Sequence, residues 1–156
     1  MASGKINILF LSAGNAMRSI LAEALLNRIA SERFRAFSAG SSPLCRVDPQ
    51  AVALLRTLGY DTKALRSKCW VEFLAPTAPV MDVIVLIGGT MLRTAWPGEP
   101  LVLEWHIPTE LQPDHILSDQ VAHIYGLLEA RIAHLASQPL DLFKEASGEE
   151  SISLVA

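Results

Sequence analysis

The sequence predicts a three-layer α/β domain, in which helices cover both faces of a four-stranded parallel sheet. Strand-like and helix-like segments alternate along the chain, and this alternation is typical of parallel sheets. The two most apolar of these segments, KINILFL (5–11) and DVIVLIGG (82–89), have the composition of strands that are buried on both faces. The 156 residues, 51% of them hydrophobic, are enough for one domain with a full core.

The four predicted strands are KINILFL (5–11), RAFSAG (35–40), DVIVLIGG (82–89) and LVLEW (101–105). Parallel strands need right-handed crossovers, which the intervening helical segments supply. Ligands of such sheets bind beyond the carboxyl ends of the strands, so the loop that follows the first strand is in the right place for a site.

The helical segments carry apolar residues at helical spacing and recognisable ends. The second segment opens with Asp48 as N-cap and Pro49 at the first helical position, and it closes at Gly59. We expect the third segment to be a short helix that is capped by Ser67. The four predicted helices span residues 18–31, 48–60, 67–74 and 118–137.

Composition narrows the class of function. The net charge of −3, with no basic run, argues against nucleic-acid binding. No apolar stretch has the length of a membrane span, and residues 5–11 fit a core strand better than a signal peptide. Cys45 and Cys69 lack metal-ligand spacing, so we expect ordinary buried thiols, a cytoplasmic protein, and neither a metal nor a cofactor. The single domain is predicted to span 1–143, followed by a loose tail at 144–156.

The loop after the first strand, SAGNAMRS (12–19), has the composition of an oxyanion site. Small residues let successive N–H groups turn inward, Gly14 and Asn15 tolerate positive φ, and Arg18 can hold two oxygens at once. The predicted anion-binding residues are Ala13, Gly14, Asn15, Ala16, Met17, Arg18 and Ser19. The expected ligand is phosphate, arsenate or sulfate, and a plain strand-to-helix turn is the alternative. The nucleotide-binding pattern GxxxxGK[ST] is absent.

Nearly the whole chain resembles one family. LFLSAGNAMRSILAEALLN (9–27) resembles the start of the low-molecular-weight tyrosine phosphatases and the thioredoxin-coupled arsenate reductases, which carry Cys-x5-Arg-Ser in this loop. The resemblance continues through FSAGSSPLCRVDPQAVALLRTLGYDTKALRSKCWVEF (37–73), MDVIVLIGG (81–89) and LVLEWHIPTE (101–110). The segments SKCWVEF and EWHIP are closer to the reductase branch. The resemblance implies a phosphatase-like fold.

The resemblance also assigns roles that this chain does not fill. The position of the nucleophilic cysteine is Ser12, and the position of the general-acid aspartate after Trp-x-x-Pro is Thr109, beside Glu110. The relay cysteines of the reductase branch fall at about Gly88 and Trp96. We therefore expect Ser12 and Thr109 to be inactive while Arg18 and the rest of the loop keep their anion-holding role.

Two functions remain open at this point. The favoured one is a non-catalytic relative that binds a phosphate-like oxyanion or a phosphorylated protein through residues 12–19. The alternative is an active arsenate reductase or tyrosine phosphatase, or an engineered Cys-to-Ser trap of one. Among the histidines, His106 lies near the predicted site, whereas His123 and His134 fit a partly exposed helix face.

Overall fold

A four-stranded sheet forms the centre of the computed structural model, which describes residues 4–88, 95–108 and 117–145. The strands are β1 (Ile6–Ser12), β2 (Phe34–Gly40), β3 (Val83–Ile87) and β4 (Leu101–Trp105). Every pairing is parallel, and the order across the sheet is β2-β1-β3-β4. The predicted fold class, an α/β domain on a four-stranded parallel sheet, is confirmed.

The helices follow the predicted segments, with one addition. They are α1 (Arg18–Ile29), α2 (Pro49–Thr57), α3 (Leu117–Ser137), α4 (Leu140–Glu145) and a 3₁₀ helix at Trp70–Leu74. The sequence analysis did not predict α4, which includes the first two residues of the predicted tail. Its Phe143 is buried and packs edge-on against Phe34, with 5.7 Å between the ring centroids. The rest of the tail lies outside the described residues.

Alternation along β1 builds a core on each face of the sheet. Ile8 and Phe10 belong to the larger core, which contains the apolar faces of α1 and α3. Leu9 and Leu11 belong to a smaller core, closed by Phe73 of the 3₁₀ helix. Burial of each such side chain contributes about 1.5–3 kcal/mol to stability. The sheet is therefore covered on both faces, and a short 3₁₀ helix stands in the third layer.

The predicted N-cap of α2 is confirmed, but that of the third helical segment is wrong. Asp48 accepts a hydrogen bond from the backbone N–H of Gln50 at 2.8 Å, ahead of Pro49. The 3₁₀ helix begins only at Trp70, because its preceding residues pair with the end of β2: the N–H of Gly40 donates to the Lys68 carbonyl at 2.9 Å. The residues before Trp70 therefore contact the end of β2 instead of capping a helix.

Within the described ranges, no helix is long and apolar enough to cross a membrane.

Candidate functional site

The loop between β1 and α1 lies at the carboxyl edge of the sheet. Ser12, the last residue of β1, pairs with Gly40, the last residue of β2. A Cβ atom at Gly40 would lie 2.7 Å from the Ala13 carbonyl oxygen and 3.0 Å from Cβ of Asn15. Glycine at this position therefore allows β2 to approach the loop closely.

The carbonyl groups of the loop face away from its interior. Backbone N–H groups of the following segment hold them: Ser41 donates to Ser12, Ser42 to Ala13, Leu44 to Gly14, and Asp48 to Ala16, at 2.8–3.3 Å. In the described part of the chain, no backbone hydrogen bond has a donor N–H from residues 14–17. The helix that follows has Met17 at its N-cap position, with no side-chain cap. Unpaired N–H groups beside the positive end of a helix dipole form a nest for an anion.

The residue that takes positive φ in this loop is Asn15, with φ 45°, and not Gly14. Both residues were expected to tolerate positive φ, and Asn15 is the one that adopts it. Gly14 instead accommodates Leu44, because a Cβ atom at Gly14 would lie 3.1 Å from Cγ of Leu44. Asparagine tolerates the left-handed region better than most side chains, and here its amide is also held in place.

A chain of hydrogen bonds runs from outside the loop to Ser12. The Lys68 N–H donates to Oδ1 of Asn15 at 2.8 Å, which fixes the orientation of the amide. Nδ2 of Asn15 then donates to Oγ of Ser19 at 2.8 Å. Oγ of Ser19 lies 2.6 Å from Oγ of Ser12. Asn15, Ser19 and Ser12 are all buried, so this chain sets the geometry of the floor of the loop.

Ser12 has no base to ionise it among the residues that the structure describes. The residue is 3% exposed, and its side-chain hydrogen-bond partner is the Ser19 hydroxyl. A serine nucleophile needs an adjacent general base, because its hydroxyl is far less acidic than a thiol. The loop therefore presents a neutral hydroxyl at Ser12, the predicted nucleophile position.

Arg18, at the first position of α1, brings the positive charge of the site. Its Nη1 donates to the Ile107 carbonyl at 3.1 Å, and its guanidinium lies against Gly88. Burial lowers the pKa of Arg18 from its ordinary value, although an arginine stays charged at neutral pH. The guanidinium thus joins the loop to the ends of β3 and β4.

A buried ion pair, which the sequence analysis missed, supports the loop from the side. Oγ of Ser38 donates to Oε2 of Glu23 at 2.7 Å, and Nζ of Lys68 lies 3.9 Å from the same oxygen. The side chains of Lys68 and Glu23 are only 8% and 15% exposed. Burial raises the pKa of Glu23 above its ordinary 4.5 and lowers the pKa of Lys68 below 10.5, while their attraction opposes both shifts. No local sequence signal links these residues, since they come from three separate elements.

One of the two predicted relay positions holds a packed aromatic side chain. Trp96 packs against Trp70, with 5.7 Å between the ring centroids. Cys45 and Cys69 are free thiols; Cys45 is exposed and Cys69 is half-buried, so the prediction that both are buried thiols is wrong. The backbone of Cys45 is in the left-handed region, at φ 61°. Thr109, the predicted general-acid position, lies outside the described residues, as does Glu110.

Three of the four histidines lie within the part of the chain that the structure describes. His106, His123 and His134 are all exposed. Within the described ranges, no group of three or more His, Cys, Asp or Glu side chains is placed to hold a metal ion.

Comparisons with known proteins agree on one family. The model for low molecular weight phosphotyrosine protein phosphatases matches residues 7–97, which is more than half of the 156 residues. No protein among the curated ones matches the chain.

Solved structures of similar fold include two kinds of enzyme. An arsenate reductase from Archaeoglobus fulgidus is 26% identical, with a TM-score of 0.67 over 84% of this chain and 99% of that one. The tyrosine phosphatase Wzb from Escherichia coli K30, in complex with sulphate, is 22% identical, with a TM-score of 0.59 over 85% and 97%. A thioredoxin-dependent arsenate reductase from Corynebacterium glutamicum is 22% identical, with a TM-score of 0.67 over 94% of this chain. The chain spans 65% of the length of that enzyme.

Proposed function

The chain belongs to the low molecular weight phosphotyrosine protein phosphatase family, and on this premise we propose that it binds a phosphate-like oxyanion without cleaving it. The ligand lies in the loop of residues 12–19, either as free phosphate, arsenate or sulfate, or as the phosphoryl group of a protein. Ser12 and Thr109 occupy the positions of the nucleophile and the general acid but do not perform their chemistry.

The proposal depends on one contrast: the loop keeps the groups that bind an anion, whereas Ser12 lacks the chemistry of a nucleophile. The loop carbonyls are held by residues 41–48, and the N–H groups of residues 14–17 have no backbone acceptor in the described part of the chain. The N-terminus of α1 and the Arg18 guanidinium add positive charge. These groups favour an anion whether or not a nucleophile is present. The sulphate complex of the similar phosphatase supports the same class of ligand.

Loss of cleavage follows from the chemistry of Ser12. The N–H groups, the helix dipole and a guanidinium can lower the pKa of a cysteine from about 8.5 to about 3.5–7.5 and so generate a thiolate. A serine hydroxyl starts from a much higher pKa, and among the described residues the side chain of Ser12 forms its hydrogen bond with another hydroxyl, that of Ser19. Attack on phosphorus then lacks an ionised nucleophile. We also propose a cytoplasmic location, since two free cysteines suit a reducing compartment, and a domain that spans residues 1–143.

Replacement of Arg18 by alanine is expected to weaken the binding of inorganic sulfate about 10- to 100-fold. The variant loses a charge-assisted contact of about 1.5–3 kcal/mol. The measurement is calorimetric titration of the purified chain with sodium sulfate, at an ionic strength held constant with sodium chloride.

The matched control is Arg56→Ala, which removes the same charge from the exposed surface of α2 and should leave the dissociation constant within about twofold. Equal affinity of the wild-type chain and Arg18→Ala would show that the loop is not the anion site. Absence of wild-type binding at tens of millimolar sulfate would overturn the proposed function.

A further inference from the structure

Gly88, at the end of β3, lies beside Arg18 of the proposed site. It follows the last residue of β3 and has φ +77°, in the region that favours glycine. Its backbone N–H donates to the carbonyl of Trp105, the last residue of β4, at 3.1 Å. The α-carbon of Gly88 is therefore fixed by the ends of two strands.

The guanidinium of Arg18 lies directly against this α-carbon. A Cβ atom at Gly88 would lie 2.0 Å from Nη1, 2.9 Å from Cζ and 3.0 Å from Nη2 of Arg18. The same Nη1 donates to the Ile107 carbonyl. Arg18 thus fits into a notch that has Gly88 on one side and the backbone of Ile107 on the other.

We propose that Gly88 is the positioning residue for Arg18, because its missing side chain creates the space that the guanidinium occupies. This inference rests on the proposed function for the claim that the placement of Arg18 governs anion affinity. Any side chain at residue 88 displaces the guanidinium from its present place and from its hydrogen bond to the Ile107 carbonyl. A thiol at residue 88 and Arg18 in its present position therefore exclude each other in this chain.

The positive φ of Gly88 supplies a competing explanation, since alanine is strained at φ +77° whatever lies nearby. Gly59 separates the two effects. It has φ +84°, and a Cβ atom there would meet only Nη2 of Arg28, at 3.5 Å, an ordinary contact distance. Gly59→Ala therefore carries the backbone strain without the collision.

The test is a double-mutant cycle with two measurements on the full chain, the melting temperature and the affinity for inorganic sulfate. The variants are Gly88→Ala, Arg18→Ala, the double variant, and Gly59→Ala. We expect Gly88→Ala to lower the melting temperature by at least about 3 °C more in the wild-type background than in the Arg18→Ala background, because the collision is absent in the latter. We expect Gly88→Ala to weaken sulfate binding at least fivefold, about 1 kcal/mol, and Gly59→Ala to change it less than twofold.

Each result of the double-mutant cycle either supports or overturns the proposed role of Gly88. If Gly88→Ala folds only in the Arg18→Ala background, the collision is confirmed. Equal losses of melting temperature in both backgrounds would overturn the inference, as would failure to fold in both, since backbone strain alone would then explain the glycine. Wild-type affinity for sulfate in Gly88→Ala would overturn it too. If the wild-type chain binds no sulfate, the proposed function fails, while the melting temperatures still decide the role of Gly88.

Discussion

Ser12→Cys is expected to acquire a thiol that ionises well below the ordinary pKa of about 8.5, in the range of about 3.5–7.5. Ser12 is buried at the start of a loop whose N–H groups at residues 14–17 have no backbone acceptor in the described part of the chain, and the loop leads into the N-terminus of α1. Oγ of Ser19 lies 2.6 Å from Oγ of Ser12, so the Ser19 hydroxyl can donate a hydrogen bond to a thiolate at position 12. The measurement is thiolate absorbance near 240 nm as a function of pH.

The wild-type chain is the control for this titration, because its difference from Ser12→Cys removes the signal of Cys45 and Cys69. The double variant Ser12→Cys with Arg18→Ala should titrate at higher pH, since it lacks the nearby cation. A thiol at position 12 that ionises at or above about 8.5 would contradict the electrostatic account of the loop.

Lys68→Met is expected to destabilise the chain by about 3–5 kcal/mol at neutral pH, because it leaves the buried Glu23 carboxylate without its cation. Glu23 holds its proton longer in the folded than in the unfolded chain, since burial raises its pKa above 4.5. The preference of the folded chain for protonated Glu23 therefore stabilises the fold fully below about pH 4.5. This stabilisation is lost as the pH rises through the pKa that Glu23 has in the folded chain. The measurement is urea unfolding between pH 4 and pH 8, where the difference between the wild-type chain and Lys68→Met should widen with pH.

The control for this prediction is the double variant Lys68→Met with Glu23→Gln, which removes both charges. Its stability should vary less with pH than that of Lys68→Met, and it should recover part of the loss. A stability difference that stays constant from pH 4 to pH 8 would mean that Glu23 and Lys68 do not interact as the structure places them.

The fold was predictable from the sequence because its signals are local. The apolar run of β1, the Asp48 cap and Pro49 at the start of α2 each act within a few residues, and the structure has them where the sequence places them. Ser67 also obeys a local capping rule, yet its Oγ donates to the Gly14 carbonyl at 3.2 Å and caps no helix. A contact across 53 residues outweighs the local preference.

The candidate site was predictable only in part, for the same reason. The composition of residues 12–19 indicates an anion loop, but the groups that hold it come from far away in the sequence. Lys68 orients Asn15 across 53 residues, and the Ile107 carbonyl receives Arg18 across 89. No local pattern explains Gly40 or Gly88. At each position a Cβ atom would collide with an atom from a distant part of the chain, and only the fold brings the two together.

The most direct test of the central claim, that the site holds a phosphate-like group without cutting it, is one incubation with p-nitrophenyl phosphate. Equilibrium dialysis measures the bound ester, and absorbance at 405 nm measures nitrophenolate in the same sample. We predict saturable binding of the intact ester that inorganic phosphate displaces, with no nitrophenolate above the level of buffer alone. Steady release of nitrophenolate by the wild-type chain, or no bound ester at tens of millimolar, would contradict the account.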